Sequence, residues 1–460
     1  MTPAVPYFEY GHQTTPATRA RRCSNLTFHL VQKICQVIRA AKDMPVFAHH
    51  QRPGISSMRR LGVAIFAAAL TGAALAGARA EMAVSPRSLD ELKTEIQARA
   101  DRNAYPLVGL KPDEVREALA RIKTLDRDEW AAAWSQIGDR YRTKAAAEAK
   151  ASPAEADKDY VAAWLYYSFA RWPVPNSPGK EAAYQKALAA YIAHAQLLDP
   201  PLEVVRIPFE GKTIVAYMEM PKAKTPAPLV FAICGLDSRK EDMAERFRPL
   251  LAQGIGYMAI DAPGTGEAPV KAAPGAERML ERALDVALAR PEVDKSRVAV
   301  YGGSFGGFWA VLLAGSDKDR IKAVVAQSPP VDETFSRAKT MALASNTEYL
   351  FDYLPAQMST YSGATDIDKL AAVRESLSLK TRGLLDRPMP SLLVIGGVHD
   401  TQVPLADIDL LLHTGTTPRE AWINPAGGHM GRDAKSWPDA VIFKQVTTPW
   451  LLRQLAAKGD

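Results

Sequence analysis

The chain has 460 residues, 47% of them hydrophobic, and a formal net charge of +6, which is enough material for more than one packed unit. Residues 1–80 carry ten basic and two acidic side chains, which leaves 47 basic and 49 acidic residues in the rest of the chain. The positive charge therefore belongs to residues 1–80, called here the leader. The remaining chain has no excess of basic residues for binding nucleic acid.

The leader contains an internal export signal. Residues 58–60 read Met-Arg-Arg, an apolar run follows over 61–76, and residues 78–80 read Ala-Arg-Ala. A charged start, a short apolar core and small residues at the end are typical of a secretory signal peptide. The run is short for a bilayer, so we expect no stable membrane anchor. We expect 58–80 to be a signal peptide, 1–57 to be a non-native extension, and the mature protein to be periplasmic or secreted.

Residues 81–200 are predicted to form a helical domain. Alanine and other helix-forming residues dominate, and Ser88–Glu91 and Asp126–Glu129 are typical of helix starts. Lys111–Glu114 places a proline at the head of a further helix. Two prolines at 200 and 201 mark the boundary to the next domain.

From residue 201 to 460, predicted strands alternate with predicted helices. A hairpin around Glu210 opens the region, and short apolar strands over 229–234 and 256–260 follow. This alternation predicts an α/β fold with a mostly parallel, doubly wound sheet that has helices on both faces. Helical sequence over about 332–385 interrupts the pattern, and we expect an inserted lid there.

The most informative motif is Gly302-Gly-Ser304-Phe-Gly306, which fits the G-x-S-x-G nucleophile elbow. In that turn a strand breaks sharply into a helix and the serine hydroxyl stands above the sheet. The flanking residues agree with it, because 297–301 predict a buried strand and 308–314 predict a buried helix. The alternative is a glycine-rich turn that only packs or binds phosphate, but neither a dinucleotide fingerprint nor a Walker lysine is present.

A serine hydroxyl needs a neighbouring base, and two downstream loops offer the partners. Asp400 follows the predicted strand 391–395, and His429 follows the predicted strand 420–424. The carboxyl ends of parallel strands meet at one edge of a sheet, so both loops are expected beside Ser304. The chain order serine, aspartate, histidine is that of a triad on this kind of sheet.

Other residues compete for these roles. We expect packing or surface positions for three further histidines beyond residue 80: His194, His399 and His413. Asp407 and Asp409 lie in the helix that follows Asp400, where we expect solvated carboxylates. Cys234 ends an apolar strand and is predicted to be a buried structural thiol rather than a nucleophile.

Backbone N–H groups are expected to bind the oxyanion of the reaction. One N–H belongs to Phe305, the residue directly after the nucleophile. The second is expected from the loop after the strand 229–234, with Leu236 as the best candidate. Asp237 and Ser238 come next in that loop, and we expect them to cap the following helix in preference to a contact between Asp237 and substrate.

These motifs resemble those of known proteins. Ser304, Asp400 and His429 resemble an α/β-hydrolase triad. The segments Cys234–Glu241 and Asp261–Glu267, together with the helical N-terminal segment, resemble the FrsA-like esterases, the 2,6-dihydroxypseudooxynicotine hydrolases and the fungal polyketide-shortening hydrolases. The resemblance implies an α/β-hydrolase fold, a cap formed by the N-terminal helices, and catalysis without a metal or an organic cofactor. It also implies an assisting role for an acidic residue such as Asp237 in members that cleave carbon–carbon bonds.

We therefore expect an exported serine hydrolase that cleaves a carboxylic ester, or a related acyl bond, of a small organic substrate. Three alternatives stay open at this point. The first is a carbon–carbon hydrolase that uses the same residues on a ketone or diketone. The second is a prolyl-oligopeptidase-type peptidase, which a helical rather than β-propeller N-terminal region disfavours, and the third is a non-catalytic binding protein. The substrate and the oligomeric state, including a homodimer, are also open.

Overall fold

The computed structural model describes residues 86–416 and 419–456. The expected signal peptide and the segment before it lie outside the described residues, so both stay predictions. Across these two described ranges, none of the helices combines the length and the apolar character needed to cross a membrane.

Between residue 86 and the first strand lies a region of five α-helices, called here the helical region. The predicted helix starts are confirmed: Ser88 and Glu91 form a capping box, and the Asp126 carboxylate accepts N–H groups of the next turn. Aromatic side chains fill its core, and the rings of Trp134 and Phe169 lie 4.7 Å apart between centroids. The helices are α1 Leu89–Asp101, α2 Pro112–Arg121, α3 Arg127–Glu148, α4 Pro153–Ala170 and α5 Pro178–Ala195.

An eight-stranded sheet follows in the described part of the chain. The strands are β1 Glu203–Phe209, β2 Lys212–Glu219, β3 Ala227–Ile233, β4 Gly256–Ile260, β5 Val293–Gly303, β6 Ala323–Gln327, β7 Ser391–Gly397 and β8 Arg419–Asn424. Their spatial order is β1-β2-β4-β3-β5-β6-β7-β8, and all neighbours from β4 to β8 run parallel. The β1–β2 and β2–β4 pairs are antiparallel. The predicted hairpin and the mostly parallel sheet are both confirmed.

Helices cover the sheet, as continuous apolar strands require. The α-helices after β3 are α6 Lys240–Phe247, α7 Arg278–Ala289, α8 Phe305–Ser316, α9 Arg337–Met341, α10 Tyr353–Thr360, α11 Ile367–Glu375, α12 Leu405–His413, α13 Asp439–Ile442 and α14 Thr448–Leu455. Helices α9 to α11 lie in the interrupting segment 332–385, called here the inserted segment. A wider turn at Phe443–Thr447 separates α13 from α14. Pro449 accounts for the break, because it has no N–H to donate to the preceding turn.

The register of the sheet defines the edge at which the functional loops meet. Gly303 at the end of β5 pairs with Gln327 at the end of β6, and Gln327 pairs with Ile395 near the end of β7. Gly397 in turn pairs with Asn424, the last residue of β8. The loops that leave β5, β7 and β8 therefore start side by side at one edge.

A buried carboxylate joins the helical region to the inserted segment. The fully buried Asp352 accepts three hydrogen bonds from Arg127, at 2.7 to 2.9 Å, and one from the Lys180 ammonium at 2.8 Å. Asn176 donates a further hydrogen bond at 2.9 Å. Burial lowers the pKa of Lys180 and the Asp352 carboxylate raises it, with a net value of about 8, so the ammonium beside Asp352 is charged at neutral pH.

A second polar contact joins α5 to α6. The ring of His194 lies between two carboxylates, with Nδ1 at 2.6 Å from Asp157 and Nε2 at 3.2 Å from Glu245. Burial lowers the pKa of His194, but the two carboxylates raise it by more than burial lowers it. The net pKa therefore lies above 6.5. Since α6 follows the loop after β3, this contact fixes the helix on which that loop ends.

We expect Asp352→Asn to destabilise the protein by about 3 kcal/mol, because folding then buries the Lys180 amine without its counter-charge. Asparagine keeps the shape of the side chain and tolerates the positive φ of 65° at this position. Chemical denaturation measures the change. Asp113→Asn is the matched control, since the carboxylate of the Asp113–Arg116 pair is 97% exposed, and its midpoint should equal that of the wild type. Equal midpoints for Asp352→Asn and wild type would contradict this account.

Candidate active site

Ser304 occupies a strained turn between β5 and α8. Its backbone has φ 53° and ψ −121°, and the next residue, Phe305, already begins the helix. A non-glycine residue at such angles costs about 1–3 kcal/mol, which the surrounding structure has to offset. The Ser304 N–H donates to the Gln327 carbonyl at 2.7 Å and so anchors the turn to β6.

The glycines of the motif allow close backbone contacts. A Cβ on Gly302 would lie 2.0 Å from the carbonyl oxygen of Gly306, within the same turn. A Cβ on Gly306 would lie 2.4 Å from the carbonyl oxygen of Cys234, so α8 crosses the end of β3 at this glycine. Any side chain at either position would push the helix away from the sheet, as the elbow motif predicts.

The structure brings together the three residues expected to form the triad. His429 Nε2 lies 2.9 Å from Ser304 Oγ, and His429 Nδ1 lies 2.9 Å from Asp400 Oδ2. The three side chains come from the loops after β5, β7 and β8. The arrangement lets the imidazole accept the serine proton through one nitrogen while the carboxylate binds the other.

Asp400 is held in place as an ionised acceptor. Its Oδ1 accepts the backbone N–H groups of Gln402 at 2.9 Å and Val403 at 2.8 Å. Burial raises the pKa of Asp400, but the charge of His429 and these hydrogen bonds lower it more, so the net pKa lies below its ordinary value. Asp400 is therefore charged over the whole range in which His429 titrates.

His429 has a net pKa above 6.5. Burial lowers the pKa of the ring, while the Asp400 carboxylate raises it by charge and by hydrogen bonding, with a smaller contribution from Glu348. Asp400 thus sets both the orientation of the imidazole and the pH at which it can accept a proton.

Two residues that sequence reasoning missed hold the histidine loop. Ser328 Oγ accepts the Met430 N–H at 3.0 Å, and Gln327 Nε2 donates to the Met430 carbonyl at 2.8 Å. Both residues lie at the end of β6, between the strands that carry the serine and the aspartate. Two polar residues directly after the apolar run 323–326 are a signal that could have found them.

The loop after β3, residues 235–238, is called here the oxyanion loop. A Cβ on Gly235 would lie 3.8 Å from Ser304 Cβ, so the loop adjoins the serine. Within the part of the chain that the structure describes, the Leu236 N–H donates to no other protein group. The Phe305 N–H lies in the first turn of α8, where it has no acceptor in the helix. Both expected oxyanion donors are thus unpaired beside the serine.

Asp237 and Ser238 do not cap α6, which corrects that expectation. Arg239 is the capping position, and the Asp242 carboxylate accepts its N–H at 2.7 Å. Ser238 Oγ instead accepts the Gly235 N–H at 2.8 Å, which closes the oxyanion loop on itself. The helix can begin without Ser238 because Asp242 reaches back to the capping position.

Asp237 lies against aromatic side chains from the helical region and the inserted segment. Its Oδ2 accepts Trp172 Nε1 at 3.2 Å. Burial and the Asp237 carboxylate together raise the pKa of both Tyr105 and Tyr349 well above the ordinary value. The ring of Tyr349 stacks on that of Trp172 at 5.2 Å between centroids. These residues form a polar and aromatic wall beside the oxyanion loop.

None of the competing histidines hydrogen-bonds to Ser304 in the described residues. His399 is exposed, His413 is an exposed residue at the end of α12, and His194 belongs to the α5–α6 contact. Asp409 is exposed and lies 3.1 Å from His413, in agreement with a solvated carboxylate.

The expectation for Asp407 was wrong. Its side chain is fully buried and accepts the backbone N–H groups of residues 331–334 at 2.6 to 3.2 Å. The chain turns sharply after β6, and the four N–H groups of this turn need an acceptor because no strand pairs with them. Asp407 therefore fixes the start of the inserted segment.

Cys234 is buried at the end of β3, as expected. Its Sγ donates to the Gly235 carbonyl at 3.3 Å and lies 3.3 Å from Thr265 Oγ1. Burial raises the pKa of the thiol, so it stays protonated and is a poor nucleophile. Within the described ranges, no group of three or more His, Cys, Asp or Glu side chains is arranged to hold a metal ion.

The sheet order and the strained serine turn between β5 and α8 define an α/β-hydrolase. Comparison with known proteins gives the narrower group. A model of the FrsA-like esterase family matches residues 107–416, which is more than half of the chain. The chain belongs to this family, and it is an esterase-type hydrolase.

Curated relatives agree with the family. The esterase FrsA of Vibrio cholerae serotype O1 (strain ATCC 39541) is 29% identical over 324 residues, which cover 66% of this chain and 76% of the relative. The esterase FrsA of Vibrio vulnificus (strain YJ016) is 28% identical over 327 residues, which cover 66% of this chain and 77% of the relative.

Two solved structures share the fold. A 2,6-dihydroxy-pseudo-oxynicotine hydrolase superposes with a TM-score of 0.64 at 20% identity, over 76% of this chain and 94% of that one. AbyA5 superposes with a TM-score of 0.61 at 20% identity, over 80% of this chain and 93% of that one. These superpositions extend the likeness beyond the sheet, since each covers three quarters or more of the chain.

We expect Asp400→Asn to lower kcat by about 10⁴-fold, because the imidazole loses the charge that orients and stabilises it. A base has to be neutral, so wild-type kcat/KM should rise with pH through the pKa of His429, above pH 6.5. In the variant, burial still lowers the pKa of His429 and no carboxylate at residue 400 raises it. The rise of kcat/KM with pH, the acid limb of the profile, should therefore move to lower pH. Rate profiles over pH measure both effects, with the exposed Asp409→Asn as control. An unmoved acid limb would refute the assigned role of Asp400.

Proposed function

We propose that the protein is an exported serine hydrolase that cleaves a carboxylic ester of a small organic substrate through an acyl-enzyme. One observation carries this proposal: Ser304 Oγ, on a strained turn, lies 2.9 Å from His429 Nε2, and Asp400 holds the other ring nitrogen. A serine in this setting can lose its proton as it attacks a carbonyl carbon.

The proposed mechanism has two steps. His429 takes the proton of Ser304 as Oγ attacks the carbonyl, and Asp400 stabilises the imidazolium that forms. The N–H groups of Phe305 and Leu236 bind the oxyanion of the tetrahedral intermediate. His429 then protonates the leaving alcohol, and a water that His429 deprotonates releases the acid.

The walls of the site support a small substrate with an apolar or aromatic part. The ring of Phe305 lies 5.5 Å from that of Tyr361, and Trp172, Tyr349 and Tyr353 form a continuous stack. Aromatic walls with few polar groups are typical of sites for small organic molecules. Residues of the helical region and the inserted segment take part in these walls, which supports the proposal that the helices cap the site.

Asp237 favours a second candidate function, the cleavage of a carbon–carbon bond next to a ketone. Asp237 is the next residue after the proposed oxyanion donor Leu236. From there its carboxylate could bind a substrate hydroxyl or share a proton with that hydroxyl. Analysis of the products separates the two functions. An ester gives an acid and an alcohol, whereas a diketone gives an acid and a ketone.

We expect Ser304→Ala to lower the hydrolysis of p-nitrophenyl acetate by at least about 10³-fold while the unfolding midpoint stays close to that of the wild type. Release of p-nitrophenol measures the loss, and a fluorophosphonate probe should label the wild type at Ser304. The exposed Ser296→Ala is the matched control and should keep full activity. Turnover or probe labelling that persists in Ser304→Ala would remove the basis of the proposal, whereas failure of the wild type to react with the probe would revive a non-catalytic binding protein.

Export is a further part of the proposal, and it is supported by the sequence of residues 58–80. We expect a chain that begins at Met58 to be recovered from the periplasm with Glu81 as its first residue. Ala69→Arg, which places a charge in the apolar run, should leave the protein uncleaved in the cytoplasm. Cell fractionation and N-terminal sequencing measure both outcomes, and a native N-terminus well before Met58 would overturn the proposed start.

A further inference from the structure

Two buried arginines bind the backbone of the oxyanion loop. Arg239 Nη1 donates to the Leu236 carbonyl at 3.0 Å and to the Ser238 carbonyl at 2.6 Å. Arg171 Nη1 donates to the carbonyl of Asp237, the residue between them, at 2.6 Å. Three successive carbonyl oxygens of the loop are therefore held by guanidinium groups.

The two arginines come from different parts of the fold. Arg239 directly precedes α6, whereas Arg171 directly follows α4 and belongs to the helical region. Both also donate to the Pro173 carbonyl, Arg171 at 3.0 Å and Arg239 at 3.4 Å. The end of the helical region and the oxyanion loop are thus one hydrogen-bonded unit.

This arrangement is a costly way to stabilise a fold. Arg171 is 3% exposed and Arg239 is 1% exposed. Burial and the neighbouring Arg239 charge lower the pKa of Arg171. Apolar side chains can hold a buried interface at least as well as such charges, so stability alone is a weak reason for them. The hydrogen bonds do, however, fix the direction of each peptide group that they reach.

The contacts on Leu236 show which direction is fixed. Its own carbonyl is held by Arg239, and the Gly235 carbonyl, which shares a peptide group with the Leu236 N–H, accepts from Cys234 Sγ at 3.3 Å. In a trans peptide the C=O and N–H bonds point in opposite directions. The peptide groups on both sides of Leu236 are therefore held, and the Leu236 N–H is left without an acceptor in the described residues.

We propose that Arg171 and Arg239 are positioning residues that hold the oxyanion loop so that the Leu236 N–H faces the reacting carbonyl oxygen. The inference rests on the proposed function, since it needs an oxyanion at Ser304. It also gives the helical region a part in the chemical step, because Arg171 reaches the loop from outside the sheet region. Neither arginine touches the substrate in this proposal.

Arg171→Met and Arg171→Lys test the proposal. A misaligned oxyanion donor lowers kcat by about 10²–10³-fold, and we expect this loss in Arg171→Met with KM changed less than about threefold. A trifluoromethyl ketone forms a tetrahedral adduct with the serine, and its affinity should fall by a similar factor. Arg171→Lys keeps a cationic donor and should recover part of both losses, and it carries the test if the methionine variant does not fold.

Arg248→Met is the matched control. Arg248 also donates to two backbone carbonyls, those of Asp199 and Pro200, and pairs with Glu219 at the opposite edge of the sheet. Its loss should lower the unfolding midpoint and leave kcat and the affinity for the ketone unchanged. If Arg171 only stabilised the fold, folded Arg171 variants would also have a lower unfolding midpoint with unchanged kcat and unchanged affinity for the ketone. That result would overturn the proposal. Failure of the proposed function is distinguishable, because Ser304→Ala would then remain active and the wild type would not bind the ketone.

Discussion

The backbone of Ser304 has a conformation that costs free energy, and the residues packed around the turn have to offset that cost. Gly302 and Gly306 let the first turn of α8 approach β5 and the end of β3 without a clash. That approach places the first N–H groups of the helix under the nucleophile, where they favour negative charge. The strained turn thereby fixes the direction of α8 and one side of the oxyanion site at the same time.

The helical region is joined to the rest of the molecule through buried polar contacts as well as apolar packing. Asp352 forms ion pairs with Arg127 and Lys180, and Arg171 donates a hydrogen bond to a carbonyl of the oxyanion loop. Buried contacts of charged side chains add little net stability, but each has few acceptable geometries. They therefore determine how the helices sit over the sheet, and with that the walls available to a substrate.

The sheet and the residues beside Ser304 could be predicted because their signals are local. Alternating apolar strands and helices predict the order of elements, and Asp400 and His429 lie in the loops that follow two of these strands. Asp407 could not be predicted, because its partners lie in a turn more than 70 residues earlier in the chain. Arg171 was missed for the same reason: hydrogen bonds to distant carbonyl oxygens leave no periodic pattern in the sequence. Polar groups that position a loop are found only once the fold brings both partners together.

Cys234 has a consequence for the chemical environments that the enzyme tolerates. Among the residues that the structure describes it is the free thiol, it is fully buried, and burial keeps it protonated. A protonated thiol that solvent does not reach reacts slowly with peroxides and with disulfides. In the described part of the folded chain, the position of this thiol at the end of β3 therefore shields it from oxidants in the solvent.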